Sequence, residues 1–481
     1  MKRNLERKPN AIWLGSALAV ALLLLLTLAS SASAQNGDVR SYTYTTFTEW
    51  LNKYRDAKPD FKPGDVLTAK DLSRMAPFVP PGYLEQLDFP EFKAQIIAPV
   101  SHRPRQDYMN CTEKYQNQVR VAADDALENY VCGQPFPNSS ISESDPRSGI
   151  KVAWNFNWRW MHYGLSISDV VWVWDRFDGG SHTAPATVVA PPYWNVMAPL
   201  VVNIPMDMTP MFGGRGTFER TLQGPYKRVY YSHLAALGGG ALDIPHAQDF
   251  EFKEFTGFYA PFDIRGTAFI IYRYADPHRS DDAWAYIPTL RRVRRISAEV
   301  KYDSLLGTDD TLDDFYGFAG RNLEWTWKFR GWKDVLVVMD SKWPESRFYG
   351  PKGIIPDDVW SVRRMAVIER TPKDPRNPYL PAVNFWDAEN YDTFYELAWD
   401  HKGKLWKVWE FQKKWTESYE DPTYQAINKG VFTTNFQSAQ VLDLQNNRGT
   451  AIPCMGAGYP LVIPSQAEKI MDINQLEQIH R

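Results

Sequence analysis

Apolar residues recur at two different spacings along this 481-residue chain. Before about Gln118 the spacing is helical. Phe47, Trp50, Leu51 and Tyr54 share one face of a predicted helix. A second helix is predicted to open at Thr68, where Thr68-Ala69-Lys70-Asp71 places an acid three residues after a capping hydroxyl. Pro77, Pro80 and Pro81 stop it. A third helical pattern runs over Val119–Val131, with Ala122, Ala123, Ala126, Leu127 and Tyr130 on one side. From Gly149 the period drops to two. Val152, Trp154, Phe156, Trp158 and Trp160 alternate, which predicts a strand.

Further strand-like runs begin at Val170, Val229, Phe269, Trp284, Leu323, Val335, Val362, Phe394 and Leu405, with turn residues between them. This predicts a meandering antiparallel sheet. Asp400-His401-Lys402-Gly403 has the form of a hairpin turn, and Gly331 is expected to play the same part between Trp327 and Val335. The chain end returns to helix, with Ser465 and Glu468 in capping-box spacing and Ile470, Ile473, Leu476 and Ile479 on one stripe. No βαβ rhythm and no fixed repeat exists, so parallel-sheet and propeller folds are disfavoured. The expected organisation is a helical and irregular cap over 35–148, a sheet domain over 149–464 and a C-terminal helix over 465–481.

The first 34 residues change the setting. Lys2, Arg3, Arg7 and Lys8 precede an uncharged apolar run from Ala11 to Ala29, and Ala32-Ser33-Ala34 closes it. That order is a secretory signal, with cleavage expected after Ala34 and a retained membrane anchor as its rival. Cleavage takes the formal charge from −3 to −6, because the segment carries four bases and one acid. An acidic product argues against a nucleic-acid partner. Export also permits a disulfide, and Cys111 and Cys132 are close enough in sequence to form one, with unpaired buried thiols as the alternative.

The 19 Trp, 25 Tyr and 25 Phe suit strands, and equally a pocket for apolar or sugar ligands. Signatures of common catalysts are missing: there is no HExxH, GxSxG, Walker loop or CxxC. Gly238-Gly239-Gly240 reads as a flexible turn and not as a phosphate loop. His162, His182, His233 and His246 lack metal spacing, and no cofactor or metal is expected. Asp309, Asp310, Asp313 and Asp314 follow soon after Arg291, Arg292, Arg294 and Arg295. The simplest expectation is a solvated loop whose acids pair with those arginines, Arg292 with Asp310 among them. The alternatives are a glycosidase carboxylate pair, a calcium loop, and, for the arginines, a contact to a headgroup phosphate or a membrane-protein partner.

The stretch Trp284-Ala285-Tyr286-Ile287-Pro288-Thr289-Leu290-Arg291-Arg292-Val293-Arg294-Arg295, with Gly307-Thr308-Asp309-Asp310 and Asp313-Asp314-Phe315 after it, resembles a segment of bacterial exported proteins of unknown function. Those proteins are similar to outer-membrane lipoprotein-sorting factors, relatives of the periplasmic lipoprotein carriers of the Lol system. Gly133-Gln134-Pro135-Phe136-Pro137, the run from Gly149 to Arg159, Tyr391-Asp392 and Gly403-Lys404-Leu405-Trp406-Lys407 extend the resemblance over most of the chain. It implies an α+β fold that is mainly β: a large curved antiparallel sheet, an incomplete barrel wrapped around helices. It further implies a non-enzymatic periplasmic carrier for a lipid, sterol-like or hydrocarbon molecule, associated with a membrane pump of the resistance-nodulation class and an outer-membrane protein. Candidate ligand-lining residues are Trp154, Phe156, Trp158, Tyr286, Trp325 and Trp327. The competing readings are a secreted carbohydrate-active or glycan-binding protein and a transporter-docking adaptor without a small ligand.

Overall fold

Alternating apolar positions become strands because each one buries a face. In the computed structural model, residues 42–181, 215–296, 302–350, 353–459, 469 and 471–477 are described. The export segment and the Ser465–Glu468 capping pair lie outside them. Short strands come first: β1 (Val66–Thr68), β2 (Lys93–Ile96) and the ribbon of β3 (Arg120–Val121) with β4 (Leu127–Glu128). The two longest, β5 (Gly164–Ser181) and β6 (Arg215–Tyr230), lead into β7 (Phe250–Gly257), β8 (Ala268–Tyr274), β9 (Asp282–Ile287) and β10 (Arg292–Ile296). Then follow β11 (Trp325–Val337), a small pair β12 (Phe348–Tyr349) and β13 (Ile355–Pro356), and β14 (Val359–Pro372). The last are β15 (Ala382–Asp387), β16 (Thr393–Trp399), β17 (Leu405–Trp415), β18 (Thr434–Asp443) and β19 (Arg448–Gly458). Helices are few: α1 (Tyr44–Lys53), α2 (Leu72–Met75), α3 (Gln106–Tyr115), α4 (Ser148–Asn157) and α5 (Pro422–Asn428).

Fifteen strands form one sheet in the order β1-β2-β14-β15-β16-β17-β18-β19-β5-β6-β7-β8-β9-β10, with β11 added on β14. Its ends, β1 and β10, do not pair, so the sheet is not closed into a barrel. The pairing is antiparallel except where β2 runs parallel to β14.

The sheet is strongly curled. Arg370 on β14 binds Asp314, and Arg273 on β8 binds the Gly320 carbonyl. Nine strand spacings separate β14 from β8, roughly 43 Å if flat. The six residues from Asp314 to Gly320 span at most about 21 Å. Only a curled sheet lets one short segment reach both strands. That segment, about 304–321, fills the inner side, with Phe315 against Trp172 and Tyr226 and Tyr316 against Phe436.

The other face of β15–β17 is covered by the N-terminal residues. α1 starts at a reciprocal cap, with the Thr43 hydroxyl accepting from the Thr46 amide and the Thr46 hydroxyl from the Thr43 amide. It lays Phe47 on Phe385 and Trp399. Tyr83 packs on Tyr395. Central strands are therefore buried on both sides, and β16 and β18 have no exposed residue.

Three expectations about elements need correction. The aromatic alternation from Val152 is not a strand but α4, whose residues are buried on nearly every side. A helix enclosed all round shows no amphipathic period, so its aromatics mimic a two-residue repeat. The stretch 119–131 is not a helix but the β3–β4 ribbon, turned at Asp124-Asp125, where Asp125 takes φ 73° and the Asp124 carboxylate accepts from the Ala126 amide. Gly331 does not make a hairpin. β11 continues through it, and its φ of 107° serves a bulge between Phe329 and Trp332. The hairpin at Gly403, at φ 72°, does join β16 and β17. At the C-terminal end, a 3₁₀ turn covers Ile473–Glu477.

Candidate functional site

α4 reaches its place because Gly149 has no side chain: a Cβ there would lie 2.4 Å from the Trp327 carbonyl oxygen. This close approach presses Phe156 flat on Trp386, ring centroids 4.1 Å apart. Trp327 sits beside Trp386, and Phe318 lies edge-on to Trp325 and Trp327. Phe156, Trp325 and Trp327 are thus core residues of the layer between α4 and the sheet. Tyr286 is elsewhere, half-buried on β9 against the second core cluster. Of the six aromatics singled out by sequence, Trp154 and Trp158 line a cavity.

That cavity measures about 170 Å³ and is walled by Leu127, Tyr130, Trp154, Trp158, His233 and Leu323. Tyr130, Trp158 and His233 pack as a trio, with centroids 4.7 to 5.2 Å apart. The Cys111–Cys132 disulfide ties α3 to the strand of chain that carries Tyr130. Burial pulls the His233 imidazole down, against its contact with the Val131 carbonyl, which acts to raise it. The polar lining residues include Asn157, Glu251, Arg273, Arg321 and Asn322. Burial pushes the Glu251 carboxyl up despite Arg273 and Arg321 nearby. Both arginines are spent on Asp281 and on backbone carbonyls. The Trp158 Nε1 and both side-chain polar atoms of Asn322 are buried without a hydrogen-bond partner.

The acidic segment is not the solvated loop expected of it. Asp309, Asp310, Asp313 and Asp314 are all buried. Asp309 and Asp314 take their arginines from distant strands: Asp309 binds Arg448 at 2.7 Å, and Asp314 binds Arg370 at 3.1 Å. Arg292 and Arg294 stand exposed on edge strand β10, so Arg292 and the fully buried Asp310 are not partners. The Asp310 oxygens make no ordinary hydrogen bond, the Thr311 amide and Trp172 indole being only weakly engaged. Burial, helped by Asp314, pushes its carboxyl up to about 8. Arg370 also contacts Glu396 and Asn384, and Tyr379 donates to Asp314 at 2.8 Å. Burial pushes Glu396 up as well, against the pull of Arg370.

A second cavity, about 540 Å³, opens at the start of this segment. Asp309, Lys407 and Arg448 line it, with Trp406, Tyr379 and Tyr302 as aromatic walls. Sequence spacing carried no hint of Tyr130, His233, Glu251, Asn322, Lys407 or Arg448 as neighbours. Strands far apart in the chain bring them together. Among the described residues, no cluster of His, Cys, Asp and Glu is arranged to hold a metal ion, and no helix is long and apolar enough to cross a membrane.

The model of a family of proteins of unknown function, DUF1329, matches residues 66–203 and 207–469, and the chain belongs to that family. No curated protein matches it. Among solved structures it is similar to a protein of the same family from Desulfovibrio piger, at 17% identity and TM-score 0.41, covering 69% of this chain and 100% of that one. A domain from Vibrio parahaemolyticus described as an outer membrane lipoprotein-sorting protein has 17% identity, TM-score 0.42 and the same coverage. A LolA superfamily protein from Nitrosomonas europaea has 11% identity and TM-score 0.32 over 63% of this chain and 89% of that one.

Proposed function

We propose that this member of the DUF1329 family is a non-enzymatic exported binding protein that carries a hydrophobic molecule, such as a lipid, a sterol-like compound or a hydrocarbon. The carrying observation is the cavity beneath α4, whose apolar wall is Tyr130, Trp154, Trp158, His233 and two leucines, facing a polar side of Glu251, Arg273 and Arg321. At about 170 Å³ it is of the size that admits a benzene-like ring. It takes one ring or the end of a chain, and the rest of the cargo stays outside. In this reading the chain is cleaved after Ala34, works in the periplasm, and exchanges cargo with a pump of the resistance-nodulation class and an outer-membrane protein.

The buried acids support a non-catalytic role. Glycoside hydrolysis needs two carboxyl groups that reach the scissile bond. Asp310, Asp313 and Asp314 are enclosed, and Asp309 is held by Arg448 and Thr450.

The test is native mass spectrometry of the mature protein purified without detergent, followed by organic extraction. A stoichiometric apolar guest is expected from the wild type, and a large loss of it from Trp158→Ala. A wild type that is empty, and whose melting temperature does not respond to fatty acid, sterol or alkane, refutes the reading.

A further inference from the structure

The larger cavity has a charge arrangement that its own residues do not complete. Each acid lining it is either engaged or at the rim. Asp309 accepts from Arg448 Nε at 2.8 Å and from the Thr450 hydroxyl at 2.9 Å. Asp374 binds Arg376 at 2.9 Å. Asp443 accepts the backbone N–H groups of Gln445 and Asn446 and the Trp406 Nε1–H. Asp303 is exposed, where water screens it.

Lys407 is different. It is 5% exposed. Its Nζ donates to two neutral oxygens, the Asp309 carbonyl at 2.6 Å and the Tyr379 hydroxyl at 3.4 Å. An ammonium has three N–H donors. It also lies over the Trp406 ring at 4.9 Å. Among the described residues no carboxylate forms an ion pair with it, Asp309 and Asp310 acting on it only at longer range, and a buried charge without a close counter-charge is costly. Arg448 stands beside it in the same lining, and its Nη1 has only a long contact, 3.8 Å, to Glu219. Trp406, Tyr379, Tyr302 and Pro378 make the remaining wall apolar and aromatic. The volume, about 540 Å³, falls within the range of small-molecule sites.

We infer that this cavity binds the anionic oxygen group of an amphiphile, a carboxylate or a phosphate, with Lys407 as its counter-ion, Arg448 as a second donor and the aromatic walls against its apolar body. The site is separate from the cavity beneath α4 and does not depend on what enters there.

Calorimetric titration of the mature protein with octanoate, octyl phosphate and octanol tests it. At least one of the two anions is expected to bind tenfold or more tightly than octanol, and which one does so distinguishes a carboxylate from a phosphate source. Lys407→Met is expected to erase that preference while leaving octanol binding within about twofold. Octanol binding as tightly as both anions, no binding by any of the three, or an undiminished preference in folded Lys407→Met overturns the inference. Should Lys407→Met fail to fold, a crystal structure of the wild type with octyl phosphate decides. Phosphate oxygens within hydrogen-bond distance of Nζ support the site, and phosphate bound elsewhere overturns it.

Discussion

Asp310→Asn should remove one pH-dependent contribution to the protein's stability. In the unfolded chain the Asp310 carboxyl loses its proton at the ordinary aspartate value of 3.8, and in the folded protein burial and Asp314 hold that proton up to about 8. Between these limits the folded state binds more protons than the unfolded state, so raising the pH favours unfolding. Each pH unit in the window costs about 1.4 kcal/mol. Integrated from pH 4 to pH 7 this is on the order of 4 kcal/mol, a large part of a typical domain's stability. Asparagine keeps the shape and has nothing to ionise. Other groups titrate too, including Asp169, which burial pushes up to about 7. Groups distant from Asp310, Asp169 among them, act on wild type and variant alike and cancel in the difference, whereas the coupled neighbour Asp314 contributes to the size of the effect. Urea unfolding of both proteins from pH 4 to pH 8 is the assay. The stability of Asp310→Asn relative to wild type should climb with a slope near 1.4 kcal/mol per unit and level off near pH 8. Any constant offset reflects the fit of the amide. A difference curve that is flat from pH 4 to pH 8 would refute the claim that Asp310 folds in its protonated form.

Other perturbations report on the remaining parts. Gly149→Ala places a methyl 2.4 Å from a backbone oxygen that cannot rotate away, and should cost about 1–3 kcal/mol in chemical denaturation. An unchanged midpoint would deny the close approach of α4 to β11. Replacing Cys111 and Cys132 together by serine opens a 21-residue loop and should lower stability by about 3 kcal/mol under non-reducing conditions, with no difference from wild type once both are reduced. Arg370→Met leaves the buried Asp314 and Glu396 without their cation and should cost about 3–5 kcal/mol. Adding Glu396→Gln should restore part of the loss, and full additivity of the two changes would show that they do not interact.

The fold was legible where a local turn or capping signal marks an element's end. Hairpin β16–β17, helix α1 and the cap at Thr68 were found on local signals alone, and the Thr68 and Asp71 side chains do form the reciprocal cap. Legibility failed where a helix is enclosed on every side. α4 has no solvent face to set a helical period, and so its Trp and Phe positions imitated a strand. The acids 309–314 failed for a related reason. A run of charge usually means solvent, yet here all four acids lie inside, Asp309 and Asp314 held by Arg370, Arg448 and Thr450 from strands dozens of residues away. Of the aromatics chosen as liners, Phe156, Trp154, Trp158, Trp325 and Trp327 all belong to one core cluster, and Trp154 and Trp158 also border a cavity. Composition cannot separate these, because an indole buries the same surface against a neighbour as against a guest.

The two cavities are related through the segment that fills the curl. Tyr302, Asp303, Ser304, Thr308 and Asp309 line the larger one, and Arg321, Asn322 and Leu323 line the smaller. One continuous stretch therefore opens on a cavity at its start and closes on another at its end. Its middle is pinned: Asp314 by Arg370 and Tyr379, Gly317 by the Asn384 amide, and Ala319 and Gly320 by Arg273. A curled sheet with an apolar inner face must cover that face with something. This chain does so with polar backbone rather than with helix, and polar backbone has to be satisfied by side chains from the sheet. Arg273, Arg370 and Asn384 are those side chains, which explains charged and amide residues at inward positions of strands that otherwise read as apolar. The same bonds leave no open space in the middle of the plug, so the proposed carrier reading places any guest at its two ends, where the cavities lie.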